Sequence, residues 1–215
     1  MKWKAADNMK DVTVAILAGG NSKRFGSMKA IVELNGKPLV THMVDIAKRI
    51  TSEVLIALSD DEQMHQIEPY LKNTRAVVDP ENEERSALTG ALTAFEHTET
   101  KYTLLLPIDT PLASIDLLEL LLRLRAGHGA VVPSWPSGYI EPLHSVYLAE
   151  HAYAIGLKLV EQSIYKMSEL LDRIHNVLYV STEALKQFDP NLETFKNFNT
   201  ERELKTFVSK MKQKK

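Results

Sequence analysis

Short apolar runs alternate along this chain with longer stretches in which apolar residues recur every three or four positions. The runs have the length of buried β-strands, and the longer stretches have the period of helices that bury one face. This alternation is typical of βαβ units, which build a mostly parallel sheet with helices on both sides. The pattern therefore predicts an α/β fold of three layers, α/β/α, with strands near 12–17, 53–58, 75–78, 102–107, 130–133, 143–147 and 177–180.

Four helix starts can be recognised between and after these strands. Pro38 suits the first turn of a helix, and Ser86 and Ser114 suit N-cap positions. Thr200 and Glu203 form a capping box that opens a last helix. The apolar stripes of the first three helices are Leu39, Met43, Ile46, Ala47 and Ile50; Leu88, Ala91, Leu92 and Phe95; and Ile115, Leu118 and Leu122.

The length fits one domain with a sizeable core. At 215 residues, two full domains would be cramped. Residues 1–10 are predicted to be a polar N-terminal extension, and 11–215 to form the domain.

Composition excludes several classes of function. The formal net charge is -2 and no local basic patch is evident, so nucleic acid is not expected as a partner. The absence of cysteine excludes disulfides, thiol nucleophiles and cysteine-based metal sites, and the seven histidines lack metal-ligand spacing. No apolar run approaches the ~20 residues of a membrane span, so we expect a cytoplasmic protein without a membrane partner.

The segment after the first strand carries the clearest chemical signal. Gly19 and Gly20 allow backbone N–H groups to approach a bulky anion, and Arg24 and Lys29 add positive charge. The segment fits neither the Walker loop nor the dinucleotide G-x-G-x-x-G pattern. It predicts a phosphate-binding loop, with a plain strand-to-helix turn flanked by two solvated cations as the alternative.

Ligands of parallel α/β sheets bind at the carboxyl ends of the strands, so polar residues that directly follow strands are candidates for ligand contacts. Ser59 follows the second strand, where a turn and a helix N-cap are the simple interpretation. Asp79 follows the third strand, and its carboxylate could accept hydrogen bonds from N1–H and the exocyclic amine of guanine. A turn aspartate before Pro80 is the alternative for this position.

Asp109 follows the fourth strand and lies between Pro107 and Pro111. A rigidly held carboxylate at a strand end suits a hard cation, and Mg²⁺ needs only one or two carboxylates besides phosphate oxygens. Asp109 is therefore the candidate Mg²⁺ ligand, with a capping or turn role as the alternative.

Two further segments carry polar candidates. Glu141 precedes Pro142 at the start of a predicted edge strand, in which His144 is expected to be packed or on the surface. Asn197 and Asn199 share one face if their segment is extended, although Asn199 could also precede the cap of the last helix.

The run from Leu17 to Lys29 resembles the L-A-G-G-x-S-x-R-[MF]-G-x-x-K signature of the MobA family, the molybdenum cofactor guanylyltransferases. The segments around Asp109, Glu141 and Asn197 resemble later motifs of that family, in the family's order. The resemblance implies a single Rossmann-like nucleotidyltransferase domain that uses Mg²⁺. It implies Arg24, Lys29 and Asp109 as catalytic residues; Leu17, Ala18, Gly19, Gly20, Lys29, Ser59, Asp79 and Asp109 around GTP; Asp109 on the metal; and Glu141, Asn197 and Asn199 on the acceptor side.

The resemblance also implies a reaction, namely transfer of GMP from GTP to the terminal phosphate of molybdopterin with release of pyrophosphate. A molybdoenzyme or an accessory GTP-binding protein is a further expected partner. The segment 81–90 departs from the family's G-P-L-A-G pattern and clearly retains only Gly90 and the helix that follows. Several alternatives therefore stay open: a molybdopterin cytidylyltransferase, a cobamide or phospholactate guanylyltransferase, a sugar-1-phosphate nucleotidyltransferase, or a non-catalytic nucleotide-binding subunit.

Overall fold

The fold is built on a seven-stranded sheet in a computed structural model of the chain, which describes residues 9–19, 28–71, 74–81 and 83–198, together with Glu203 and Thr206. Short 3-10 turns lie at Lys29–Ile31, Glu68–Tyr70, Pro142–His144 and Glu193–Phe195. In chain order the strands and α-helices are β1 (Val12–Leu17), β2 (Glu33–Leu34), β3 (Lys37–Pro38), α1 (Leu39–Lys48), β4 (Val54–Leu58), α2 (Asp61–Ile67), β5 (Arg75–Val78), α3 (Ala87–Glu96), β6 (Tyr102–Pro107), α4 (Ile115–Arg123), β7 (Ala130–Ser134), β8 (Val146–Leu148), α5 (Ala149–Glu161), α6 (Met167–Arg173), β9 (Val177–Ser181) and α7 (Thr182–Leu185).

The strand order of the sheet creates a switch point between β1 and β6. The order is β5-β4-β1-β6-β8-β7-β9, and only β8 runs antiparallel to its neighbours. From β1 the chain moves outward to β4 and β5, and then returns to the other side of β1 to form β6. Ligands of open α/β sheets bind where the strand order reverses in this way.

Both faces of the sheet are buried, as the predicted three-layer α/β/α architecture requires. On β1, Val12, Val14 and Ile16 face a core shared with α1 and α4, whereas Ala15 and Leu17 face a second core shared with α3, α5 and α6. All six residues of β1 are buried. A strand covered on both faces is largely apolar, and β1 accordingly has Thr13 as its one polar residue and shows no polar alternation.

Two of the four predicted helix starts, at Ser86 and Ser114, are confirmed. The side chain of Ser86 accepts a hydrogen bond from the N–H of Thr89, and Ser114 does the same for Leu117. Pro38 is instead the last residue of β3 and immediately precedes α1, because it pairs with Glu33 in a small two-stranded sheet. The predicted capping box begins at Thr200, which lies outside the described residues.

The predicted strand 143–147 is wrong at its start. Residues Pro142–His144 form a 3-10 turn, and the strand begins only at Val146. The turn is held from two sides, because the hydroxyl of Ser145 donates to the carbonyl of Glu141 and that of Tyr147 donates to the carbonyl of Pro142. His144 is consequently buried in this turn, as the packed alternative predicts, but it does not lie on a strand.

The packed domain begins earlier than residue 11. Met9 is buried against the first core, and its carbonyl accepts a hydrogen bond from the amide of Val12. Residues 1–8 of the predicted extension lie outside the described part. No helix within the described ranges has the length and apolar character needed to cross a membrane.

Candidate active site

Four predicted site residues follow four neighbouring strands at the carboxyl edge of the sheet. Asp79 follows β5, Ser59 follows β4, Gly19 lies just beyond β1, and Asp109 lies just beyond β6. Adjacent strands are about 4.8 Å apart, so this row spans roughly 14 Å. An extended nucleotide can bridge such a distance.

Lys29 and Asp109 meet at the switch point. Lys29 Nζ donates to Asp109 Oδ2 over 2.6 Å, and each side chain retains 16% exposure. The backbone around Asp109 is fixed, because its carbonyl accepts from the amide of Phe198 over 3.1 Å, and the amide of Ile108 donates to Leu17 over 3.1 Å. A partly exposed cation and carboxylate are thus held at the point where the topology places a ligand.

Gly19 allows the end of β1 to lie against the end of β4. A Cβ atom at this position would lie 2.5 Å from Ser59 Oγ and 3.1 Å from Ser59 N. Distances this short require a neighbour to move, so glycine permits the close approach. Gly19, the described glycine of the predicted loop, and Ser59 are therefore neighbours in the fold.

The backbone amides of Ala18 and Gly19, two residues that the family resemblance places around GTP, have a partner within the fold. Both donate to the carbonyl of Ala57, over 2.8 and 3.1 Å. These bonds extend the contact between β1 and β4 by two residues and leave neither N–H group free for an anion. Gly20 and Arg24, the other predicted members of the loop, lie outside the described residues.

Asp79 occupies a buried polar position at the end of β5. It is 8% exposed, and its Oδ1 accepts a hydrogen bond of 2.6 Å from the hydroxyl of Thr93 on α3. Burial raises the pKa of the Asp79 carboxyl, while the Thr93 hydrogen bond and the nearby charge of Arg85 partly oppose that rise. Arg85 itself pairs with Asp60 over 3.0 Å.

A second polar group lies on the far side of Asp109, between β7 and β8. Trp135 Nε1 donates to Glu141 Oε1 over 2.8 Å, and Glu141 Oε2 lies 3.6 Å from Nδ1 of the buried His144. The ring of Phe195 packs edge-to-face against both Trp135 and His144. Because β7 ends and β8 begins at the carboxyl edge, this group faces the same side of the sheet as Asp109.

His144 connects this group to the segment that carries Asp109. Its Nε2 lies 3.4 Å from the hydroxyl of Thr110, which is fully buried and donates to the carbonyl of Pro107. Asn197 is exposed and directly precedes Phe198, whose amide contacts Asp109. Asn199 lies outside the described residues.

The chemistry of Asp109 fits the predicted Mg²⁺. Its carboxylate is accessible and supplies hard oxygen ligands, and Mg²⁺ commonly takes its remaining ligands from water and substrate phosphates. Among the described residues, no three His, Asp or Glu side chains are grouped as a protein-only metal site. The arrangement therefore suits an ion that arrives with a phosphate substrate.

A cavity of about 720 Å³ lies at the opposite edge of the sheet. It is lined by Lys101, which precedes β6, and by Leu148, which ends β8, together with the first turns of α5. None of the predicted site residues lines it.

Comparison with known proteins decides the family. Residues 14–177, more than half of the chain, match the MobA-like NTP transferase domain. The chain belongs to this family.

Relatives within the MobA-like family cover most of the chain. A protein of Methanosarcina mazei named as a probable molybdenum cofactor guanylyltransferase is 26% identical over 205 residues, which make up 93% of this chain and 91% of the relative. A protein of the same name from Pyrococcus horikoshii is 31% identical over 176 residues, or 80% and 86% of the two chains. The crystal structure of molybdopterin-guanine dinucleotide biosynthesis protein A from Archaeoglobus fulgidus superimposes with a TM-score of 0.79, at 28% identity, covering 94% of this chain and 100% of the other.

The structure also brings in residues that sequence reasoning missed. Thr93, Trp135 and Phe195 were not candidates, yet each contacts a predicted site residue or its partner. Thr93 carried a usable signal, because Thr89 and Thr93 are two threonines four residues apart on the buried face of a helix that otherwise buries alanine, leucine and phenylalanine. The two aromatic residues gave no such signal, since an aromatic side chain in a loop most often only fills space.

Proposed function

We propose that this chain transfers GMP from GTP to the terminal phosphate of molybdopterin. The observation that carries the proposal is the Lys29–Asp109 pair at the switch point of the sheet, with Asp79 at the end of the row of strands on one side. The names of the M. mazei, P. horikoshii and A. fulgidus proteins support the choice of guanine and of this acceptor over the alternatives.

In the proposed reaction, a terminal phosphate oxygen of molybdopterin attacks the α-phosphorus of GTP. A new P–O bond forms between the acceptor and the α-phosphorus, the bond between the α-phosphorus and the bridging oxygen breaks, and pyrophosphate leaves. The nucleophile is already ionised near neutral pH, so the site needs little proton transfer. Catalysis then depends on alignment and on neutralisation of charge.

The residues divide these tasks by position. Lys29 neutralises charge on the triphosphate, and Arg24 is proposed to do the same from the glycine loop. Asp109 would hold Mg²⁺, which would supply neutralisation of the phosphate charge. This role requires Asp109 to exchange part of its contact with Lys29 for the metal, which the 16% exposure of both side chains permits.

The two sides of Asp109 are proposed to bind different substrates. Asp79 and Ser59 lie on the side of β4 and β5 and would contact the guanosine, with Leu17 and Gly19 beneath the phosphates. Glu141, Asn197 and Asn199 are assigned to molybdopterin on the side of β8. A molybdoenzyme or an accessory GTP-binding protein would receive or assist the product, and we place the reaction in the cytoplasm.

Incubation of the protein with Mg²⁺, molybdopterin and each of GTP, CTP, ATP and UTP tests the proposal, with release of pyrophosphate and the mass of the product as readouts. We expect pyrophosphate and a guanine dinucleotide with GTP, and neither in the control without molybdopterin. A cytosine dinucleotide formed in preference would make the chain a cytidylyltransferase. Binding of GTP without any pyrophosphate would make it a nucleotide-binding subunit.

A further inference from the structure

The two oxygens of the Asp79 carboxylate have different surroundings. Oδ1 accepts the 2.6 Å hydrogen bond from Thr93 on α3, whereas Oδ2 faces Gly90, which also lies on α3. A Cβ atom at Gly90 would lie 3.9 Å from Oδ2, at ordinary contact distance. The side of Oδ2 is thus lined by a residue without a side chain, and the carboxylate is fixed from the side of Oδ1.

The Thr93 hydroxyl has a choice of acceptors. It lies 3.2 Å from the carbonyl of Thr89, the usual partner of a threonine inside a helix, and 2.6 Å from Asp79. A hydroxyl has one proton to donate, and the bond to an ionised acceptor is the shorter and stronger one. The geometry indicates that this proton is committed to the carboxylate.

Packing alone does not require a hydroxyl at this position. Thr93 is 3% exposed, and its neighbours on α3 include the buried Ala91, Leu92 and Phe95. Burying a hydroxyl costs free energy unless it forms a hydrogen bond, whereas a valine would fill almost the same space without that cost. The polar group at residue 93 therefore points to a role at Asp79.

We propose that Thr93 is the positioning residue that sets base specificity, by fixing the plane of the Asp79 carboxylate so that it accepts both N1–H and the exocyclic amine of guanine. The inference rests on the proposed function, in which Asp79 reads the base. Each carboxylate oxygen accepts about two hydrogen bonds, so Oδ1 can bind Thr93 and the base together.

The hydrogen bond has a second effect on the same recognition. Guanine presents two donors, and a protonated carboxyl would oppose one of them with a donor of its own. Burial raises the pKa of Asp79, while the Thr93 bond and the charge of Arg85, itself paired with Asp60, oppose that rise. Thr93 thereby favours the ionised form that guanine needs.

The test compares kcat/KM for GTP with kcat/KM for ATP in Thr93→Val and Thr93→Ser. We expect Thr93→Val to lower the GTP-to-ATP ratio about tenfold or more, and Thr93→Ser, which keeps the hydroxyl, to stay within about threefold of the parent. Thr103→Val is the matched control, because Thr103 is also buried and, among the described residues, its hydroxyl bonds to Thr98 at the opposite edge of the sheet from Asp79. If Thr93→Val does not fold, Thr93→Ala provides the same comparison.

Asp79→Asn, assayed in parallel, separates the positioning role of Thr93 from the guanine-reading role of Asp79. A lowered ratio in Asp79→Asn with an unchanged ratio in Thr93→Val would overturn the role of Thr93 and leave the guanine-reading role of Asp79 intact. An unchanged ratio in both variants would remove Asp79 from the base site and overturn both assignments. A lowered ratio in both, restored by Thr93→Ser, supports the inference.

Discussion

At the scale of single residues, Lys29 and Asp109 are 80 positions apart in the sequence but 2.6 Å apart in the fold. We expect Lys29→Ala and Asp109→Ala each to lower kcat at least ~10²-fold, the scale for losing one electrostatic contact to a transition state. Steady-state release of pyrophosphate measures the effect, and thermal unfolding checks that each variant is folded.

The exposed pair formed by Lys37 and Asp45 is the matched control for these variants. Surface ion pairs contribute little to folding stability, and this pair is not part of the proposed site. Lys37→Ala and Asp45→Ala should therefore leave kcat within a few-fold of the parent. Activity of a similar level in Asp109→Ala or Lys29→Ala would refute the role assigned to that residue.

Asp79 predicts a pH dependence of stability. Because burial raises its pKa above the ordinary 3.8, the folded state holds the proton more tightly than the unfolded chain does. The protonated Asp79 carboxyl therefore contributes fully to the free energy of unfolding below pH 3.8. This contribution is lost as the pH rises through the pKa that Asp79 has in the folded state. Asp79→Asn has no such loss and should be more stable than the parent at neutral pH.

Urea unfolding of the parent and of Asp79→Asn across acid and neutral pH measures this difference. The gap in unfolding free energy should open as pH rises and close toward pH 3.8. A gap that is constant with pH, or one that favours the parent at neutral pH, would show that burial does not control this carboxyl.

The positions of the candidate site residues could be predicted from the sequence better than their hydrogen bonds. Asp79, Ser59 and Asp109 could be predicted because each follows an apolar run, and strand ends of a parallel sheet share one edge. The hydrogen bonds of the Ala18 and Gly19 amides could not be predicted, because their donation to Ala57 depends on the register of β1 against β4. Register between distant strands is set by tertiary packing and leaves no local signal.

At the scale of elements, the connection between β7 and β8 is the part that sequence patterns predicted least well. Its apolar and β-branched residues favour a strand from 143, yet Pro142 and two side-chain hydrogen bonds produce a 3-10 turn. The same turn buries His144 and places the Glu141 carboxylate where it accepts a hydrogen bond from Trp135. Propensity is local, and here tertiary contacts override it.

A substitution in the connection between β7 and β8 is expected to weaken the binding of molybdopterin and not that of GTP. Glu141→Ala removes the partner of the Trp135 N–H group, so the connection loses one hydrogen bond to a carboxylate, worth about 1.5–3 kcal/mol. We expect the KM for molybdopterin to rise about tenfold and the KM for GTP to stay unchanged.

Two variants sharpen this test. Glu141→Gln retains an oxygen that can accept from Trp135 and should have a smaller effect than Glu141→Ala. Glu150→Ala removes an exposed carboxylate from the start of α5 and should change neither KM. Equal increases in both KM values for Glu141→Ala would argue for general loosening of the site instead of an acceptor role.

At the scale of the whole molecule, the order of the strands explains why residues from distant segments form one site. The chain leaves β1 in one direction and returns on the other side to form β6, so the residues directly after these two strands, Ala18 and Gly19 on one side and Ile108 and Asp109 on the other, border the same crevice. The alternation of strands and helices was sufficient to predict the three layers and six of the seven strands of the main sheet within one residue at each end. The strand order was not predicted, because apolar patterns do not encode which strands are neighbours.

A crystal structure of the protein with GTP and Mg²⁺ tests the proposed nucleotide and metal site most directly. We predict the metal on Asp109, the triphosphate beside Lys29, and the guanine hydrogen-bonded to Asp79. A nucleotide bound elsewhere, such as in the cavity at the opposite edge of the sheet, with Asp109 and Lys29 still paired and remote from it, would contradict the account.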